Sequence, residues 1–143
     1  MVNPVKFFRL SAAEKRILFQ AAAWLVLLRV LLAAAPFARV QRLVSRVCGA
    51  GAHGVRCPGA LAPSRIGYLV VVAANLIPGT TCLPRALATQ VLLGRHGHGA
   101  ELHIGVNRDS RGRFQAHAWV ETGGRVVIGG PDVTGYEPIL RTA

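Results

Sequence analysis

One cysteine and one histidine are placed where they could carry out acyl transfer together. Residues 78–81 interrupt the preceding helical pattern and end in residues that can cap a helix. Cys82 follows them and begins a new helical pattern that runs to Arg95. The unpaired N–H groups and positive dipole of a helix start favour a thiolate and can hold an oxyanion. His117 lies within the alternating segment 114–121, which predicts a strand. A helix-borne thiol with a strand-borne imidazole predicts a nucleophile and its general base. A buried structural cysteine beside a core histidine is the competing interpretation.

A third group is needed to orient the imidazole, and the sequence offers no obvious one. Gly123-Gly124 predicts a tight hairpin, whose register places Gly130 opposite His117, or Gly129 after a one-residue slip. Neither glycine carries a side chain. The nearest acidic residue downstream is Asp132, which we predict as the third catalytic residue. An exposed turn residue at this position, with a carbonyl or amide orienting the imidazole instead, stays open as an alternative.

Helices precede strands along the chain, which predicts an α+β fold. Ser11 and Glu14 have the spacing of a capping box, and Pro36 interrupts the helix that begins there. The periodicities predict helices at 12–35, 37–48, 65–77 and 82–95, a loop at 49–64, and strands at 101–106, 114–121 and 125–128. The expected architecture is a set of N-terminal helices (1–48) before a core (65–143) with the nucleophile helix and an antiparallel meander, all in one domain spanning 1–143.

Composition and charge narrow the range of partners. With 143 residues, 52% of them apolar, the chain has the size and core material of one domain. A net charge of +11 favours an acidic partner such as a peptide or a membrane face, while nucleic acid ranks low because no recognition motif is present. Most of the surplus lies in residues 1–50, which are therefore the expected docking half. Their basic residues are Lys6, Arg9, Lys15, Arg16, Arg29, Arg39, Arg42 and Arg46.

The cysteines and the longest apolar run bear on the compartment. Three cysteines form no paired framework, which favours a reducing, cytoplasmic location. Residues 17–35 could be a signal segment or a membrane span. Arg29 lies inside this run and Glu14 precedes it, and both argue against those assignments. A buried or partner-facing helix is the expected state, with membrane anchoring as the alternative.

Other histidines, cysteines and acids could suggest a metal site, but their spacing does not. His-x-His-x4-His across a glycine-rich turn lacks the spacing of zinc motifs, as do the other cysteines with the histidine between them. We therefore expect surface histidines, ordinary thiols and no metal or other cofactor. These residues are His96, His98, Glu101 and His103, and Cys48, His53 and Cys57.

Two sequence blocks carry a family resemblance. Cys82-Leu83-Pro84-Arg85-Ala86-Leu87-Ala88 and Ala116-His117-Ala118-Trp119-Val120-Glu121 resemble the signature blocks of the transglutaminase-like leader peptidases of lasso-peptide biosynthesis. The second block is shared more widely among transglutaminase-like proteins, so it bears on fold and catalytic pair more than on substrate. The N-terminal helix also resembles the start of this family, and no fused leader-recognition domain is evident.

The resemblance implies a function and a set of partners. It implies a cysteine peptidase that removes the leader peptide from a lasso-peptide precursor, with a papain-like nucleophile helix and no cofactor. The implied partners are the precursor leader, a separate small leader-recognition protein and an ATP-dependent lasso cyclase. A non-catalytic peptide-binding module of the same fold is the alternative, in which Gly129-Gly130 would signal lost catalysis.

Overall fold

Four helices lead into a four-stranded antiparallel sheet in the part of the chain that the structure describes. A computed structural model describes residues 9–51, 60–130 and 133–142. Its helices are α1 (Ala12–Ala34), α2 (Phe37–Gly51), α3 (Pro63–Leu76) and α4 (Cys82–Arg95). Its strands are β1 (Glu101–Arg108), β2 (Phe114–Thr122), β3 (Arg125–Ile128) and β4 (Glu137–Thr142). The α+β prediction is confirmed.

The helix boundaries follow from local chemistry that the sequence already displays. The Ser11 hydroxyl accepts a hydrogen bond from the Glu14 backbone N–H, and the Glu14 carboxylate accepts one from the Ser11 N–H, which completes the predicted capping box. Pro36 separates α1 from α2. Helix α2 continues to Gly51, into the segment predicted as a loop, while residues 52–59 of that loop lie outside the described residues.

Helix α1 has two apolar faces, of which only one is covered. Its buried face packs into the core through Ile17, Leu18, Ala21, Leu25 and Leu28. The opposite face exposes the α1 stripe, which we define as Phe19, Val26, Leu27 and Val30. By length and composition α1 could cross a membrane, a property it shares with core helices and signal sequences, and 28% of its most apolar window is buried. A helix covered on one face fits the predicted core-facing or partner-facing role, and its exposed apolar face also fits the membrane alternative.

Helix α4 is the centre of the core. Ten of its fourteen residues are buried, and it contacts the three other described helices and strands β1 to β3. Its first residue, Cys82, is only half-buried. The nucleophile candidate is thus attached to the most firmly packed element while remaining near the surface.

The sheet has the strand order β3-β2-β1-β4. The β2–β3 hairpin turns at Gly123-Gly124 and pairs Thr122 with Arg125, as predicted. A bulge then shifts the register by one residue, so that Val120 pairs with Ile128. Strand β4, which the sequence pattern did not predict, returns to pair with β1 on the opposite side from β2. Pro138 weakened the strand pattern, and an edge strand is where a sheet tolerates proline.

The orientation of α1 predicts different costs for two adjacent leucines. Leu28 is fully buried, whereas Leu27 is 45% exposed. We expect Leu28→Ala to lower the free energy of unfolding by about 2–5 kcal/mol, because it leaves a cavity in the core. Leu27→Ala, the matched control, should change it by no more than about 0.5 kcal/mol. Urea unfolding followed by circular dichroism measures both values, and equal losses would contradict this orientation of α1.

Candidate active site

The turn before α4 presents Cys82 at an open helix end. Thr80 closes this turn by donating its hydroxyl hydrogen to the Ile77 carbonyl at 2.8 Å. Thr81 is the N-cap residue in extended conformation, and its side chain makes no capping hydrogen bond. Backbone N–H groups of the first turn are therefore not satisfied by the cap side chain. They are available to stabilise negative charge beside the Cys82 sulfur.

His117 has its tautomer set by a backbone carbonyl. The Nε2 atom of its ring lies 2.6 Å from the carbonyl oxygen of Gly129. A carbonyl oxygen can only accept a hydrogen bond, so Nε2 must carry the hydrogen. In the neutral ring this leaves the lone pair on Nδ1. The imidazole therefore has one nitrogen held by the protein and the other available as a base.

Cys82 and His117 line the same cavity, whose volume is about 380 Å³. The cavity is formed where the start of α4 meets β2 and the end of β3. Its other lining residues are Val71, Thr80, Arg85, Ala118, Ile128, Gly129 and Gly130. The fold thus brings the two predicted catalytic side chains to one concave site large enough to admit part of a peptide.

Two aromatic rings contact the His117 imidazole. The Trp119 ring is stacked on it with centroids 6.3 Å apart, and the Tyr136 ring is tilted against it at 5.2 Å. Trp119 is itself fixed, because its indole N–H donates to the Glu121 carboxylate at 2.9 Å. These contacts restrict rotation of the imidazole and so help to keep Nε2 against the Gly129 carbonyl.

His103 supports this cluster from the far side of Trp119. Its ring is stacked on the indole at 5.4 Å, and its Nε2 lies 3.5 Å from a Glu101 oxygen and 3.7 Å from a Glu121 oxygen. The prediction of a surface histidine is wrong here, since only 8% of His103 is exposed. Its strand pairs with a neighbour on both sides, which the sequence pattern did not reveal.

Position 129 requires glycine, both because of its backbone conformation and because Trp119 lies so close to it. Its φ is +117°, and an added Cβ would lie 2.3 Å from the Cβ of Trp119. A side chain is excluded there on both counts. Gly130 has a φ of +89°, but an added Cβ there would meet nothing within 4 Å. The two left-handed residues redirect the chain after β3 so that the Gly129 carbonyl reaches the imidazole.

The structure places two of the three predicted site residues in one cavity. Cys82 and His117 share the cavity, whereas Asp132 lies outside the described residues. Gly129 has no side chain, so the carbonyl that it contributes could not be predicted from residue type. Tyr136 was also missed, because nothing in the sequence linked it to the site.

The remaining cysteines and histidines do not form a second reactive centre in the described part of the chain. Burial raises the pKa of the Cys48 thiol to about 11, which keeps it protonated and unreactive at neutral pH. Cys57 and His53 lie outside the described residues. Across residues 9–51, 60–130 and 133–142, no group of three or more potential ligands could hold a metal ion.

Comparison with known proteins gives one family match. The family model for the transglutaminase-like superfamily matches residues 19–141. The match covers both Cys82 and His117 and reaches from α1 into β4. No curated protein and no solved structure matches the chain significantly.

The two glycines after β3 provide a matched test of how His117 is held. Gly129→Ala and Gly130→Ala should each cost about 1–3 kcal/mol of folding free energy through backbone strain. Gly129→Ala should lose about 1–3 kcal/mol more, because its Cβ would overlap Trp119. Nitrogen-15 NMR of the imidazole should show the Nε2-protonated tautomer in the wild type and in Gly130→Ala, and its loss in Gly129→Ala. The same tautomer in all three proteins would contradict the orienting role of the carbonyl.

Proposed function

This chain belongs to the transglutaminase-like superfamily, and from that premise we propose that it is a cysteine peptidase that removes the leader peptide from a lasso-peptide precursor. The observation that carries the peptidase proposal is the shared cavity of Cys82 and His117, in which Gly129 fixes the imidazole tautomer. The resemblance of the two sequence blocks carries the choice of substrate.

The proposed reaction proceeds through a thioester. His117 Nδ1 accepts the proton of the Cys82 thiol, and the sulfur attacks the scissile carbonyl of the precursor. Backbone N–H groups at the start of α4 stabilise the oxyanion. Collapse of this intermediate transfers the proton from His117 to the departing amine, which becomes the N-terminus of the core peptide. Water, deprotonated by His117, then hydrolyses the thioester and frees the leader.

The group that orients His117 is, in this proposal, the Gly129 carbonyl. Its oxygen accepts the hydrogen bond from Nε2 at a distance of 2.6 Å between the two atoms. Related proteins usually have an acidic side chain in this place. A carbonyl fixes the tautomer as a carboxylate does, but it carries no charge to stabilise the imidazolium. Gly129-Gly130 is therefore compatible with catalysis. Asp132 stays a predicted catalytic residue. Substitution of Asp132 decides whether it or the Gly129 carbonyl orients His117.

The proposed partner is a separate small leader-recognition protein, with the α1 stripe as its contact surface. Phe19, Val26 and Val30 recur at spacings of seven and four residues, which keeps them on one side of the helix, as helix–helix contacts require. The basic N-terminal half around them suits a partner with acidic residues at the edge of its apolar surface. An ATP-dependent lasso cyclase would use the amine that cleavage releases, and the proposed location of all three proteins is the cytoplasm.

Cleavage of the cognate precursor tests the catalytic assignment. Incubation with the leader-recognition protein, followed by mass spectrometry, should show one leader fragment with the wild type and none with Cys82→Ala or His117→Ala. If the Gly129 carbonyl orients His117, Asp132→Asn should retain kcat within about tenfold of the wild type, whereas loss of a triad member costs about 10⁴-fold. Cys48→Ala is the matched control and should cleave normally. An unchanged yield of leader fragment in Cys82→Ala would refute the peptidase proposal.

A charge placed on the α1 stripe tests the partner surface. Val30 is 59% exposed on α1, and Ile139 on β4 is 64% exposed, so Val30→Glu and Ile139→Glu form a matched pair. We expect Val30→Glu to weaken binding of the leader-recognition protein at least about tenfold, since it places a charge in an apolar contact. Ile139→Glu should bind normally in calorimetry. Unchanged protein binding by Val30→Glu, together with lost flotation on lipid vesicles, would assign the stripe to a membrane instead.

A further inference from the structure

Arg85 lines the same cavity as Cys82 and His117. It lies three residues after Cys82 on α4, and that spacing puts both side chains on one face of the helix. Helical side chains lean toward the N-terminus, so the Arg85 side chain extends over the turn that carries Cys82. Its position in the cavity is therefore a direct consequence of the Cys-x-x-Arg spacing.

One donor of the Arg85 guanidinium lacks an acceptor among the described residues. Its Nε atom is buried and has no hydrogen-bond partner among the described residues. Leaving a buried donor unsatisfied is unfavourable, and a guanidinium cannot relieve the cost by losing its proton. None of the described residues that line the cavity is acidic. A ligand that brings an acceptor into the cavity would satisfy this group.

Three other arginines of the described fold donate from the same atom to a carboxylate. Arg65 donates from Nε to Glu14 at 2.6 Å, Arg113 to Asp109 at 3.0 Å and Arg141 to Glu101 at 2.9 Å. Arg85 differs because its Nε has no such partner among the described residues, and because its side chain lines the cavity that also contains the predicted nucleophile.

We propose that Arg85 is a specificity-determining residue that binds a carboxylate of the substrate, so the enzyme prefers a peptide with an Asp or Glu side chain beside the scissile bond. A carboxylate fits because it can take two parallel hydrogen bonds from the guanidinium, and its charge matches. An acidic peptide also suits a chain with a net charge of +11. This inference rests on the proposed peptidase function.

The test compares precursor peptides that differ only by Glu or Gln at each position flanking the cleaved bond, assayed with the leader-recognition protein. At one flanking position the wild type should cleave the Glu peptide with a kcat/KM at least about tenfold above that for the Gln peptide, the size expected for a charged hydrogen bond. Arg85→Gln should bring this ratio close to one by losing activity on the Glu peptide alone. Arg85→Lys keeps the charge but cannot donate two parallel hydrogen bonds, so its ratio should lie between those of the wild type and Arg85→Gln.

Arg95, an exposed arginine at the other end of α4, supplies the control, and Arg95→Gln should keep the wild-type ratio. Equal loss on both peptides in Arg85→Gln would overturn the inference and point to an interaction with the reacting carbonyl instead. A wild-type ratio near one at all positions would also overturn it, while leaving the peptidase function standing.

A binding measurement separates failure of this inference from failure of the proposed function. If the wild type cleaves neither peptide, the peptidase proposal fails, and fluorescence anisotropy with the Cys82→Ala protein then tests Arg85 directly. Tighter binding of a Glu peptide than of its Gln counterpart, abolished by Arg85→Gln in the same background, would uphold the carboxylate site. Equal binding of the two peptides would refute it.

Discussion

The hydrogen bond from His117 Nε2 to the Gly129 carbonyl is the constraint on which the site depends. It fixes which ring nitrogen is basic, and it forms only because the backbone at Gly129 adopts a left-handed conformation beside Trp119. The aromatic contacts of His117 and the Glu121 bond to Trp119 maintain the same geometry from the other side of the ring. The orienting group is thus a property of the chain path after β3, supported by the packing around it.

That path depends in turn on how the sheet meets the helices. Val127 is the extra residue of the bulge in β3. It lies against Gly67 of α3, and a Cβ added at Gly67 would be only 2.6 Å from the Val127 carbonyl oxygen. The close contact of α3 with β3 therefore permits the one-residue shift that ends the strand at the cavity. Cys82 is positioned independently of this, by the deeply packed helix α4. The two catalytic candidates converge because α4 packs directly against β2.

Local signals and tertiary packing explain what the sequence could predict. Helix α4 and strand β3 begin and end at the predicted residues because Pro78-Gly79 and Gly123-Gly124 mark the preceding turns locally. The bulge, strand β4 and the buried state of His103 depend on contacts between elements distant in the chain, so periodicity could not reveal them. The hairpin register was correct for its first two pairs, but the bulge displaced the next pair, Val120 with Ile128. A backbone carbonyl as orienting group leaves no residue-type signal at all.

The electrostatic character of the cavity follows from these findings together. When Cys82 transfers its proton to His117, the imidazolium is held at Nε2 by a neutral carbonyl, so its charge is balanced mainly by the thiolate. As the sulfur attacks, that negative charge moves to the oxyanion beside the first turn of α4. Arg85 adds a permanent positive charge to the same cavity. A site with this charge distribution stabilises anionic groups at each stage, and a negatively charged peptide segment therefore complements it better than a neutral one.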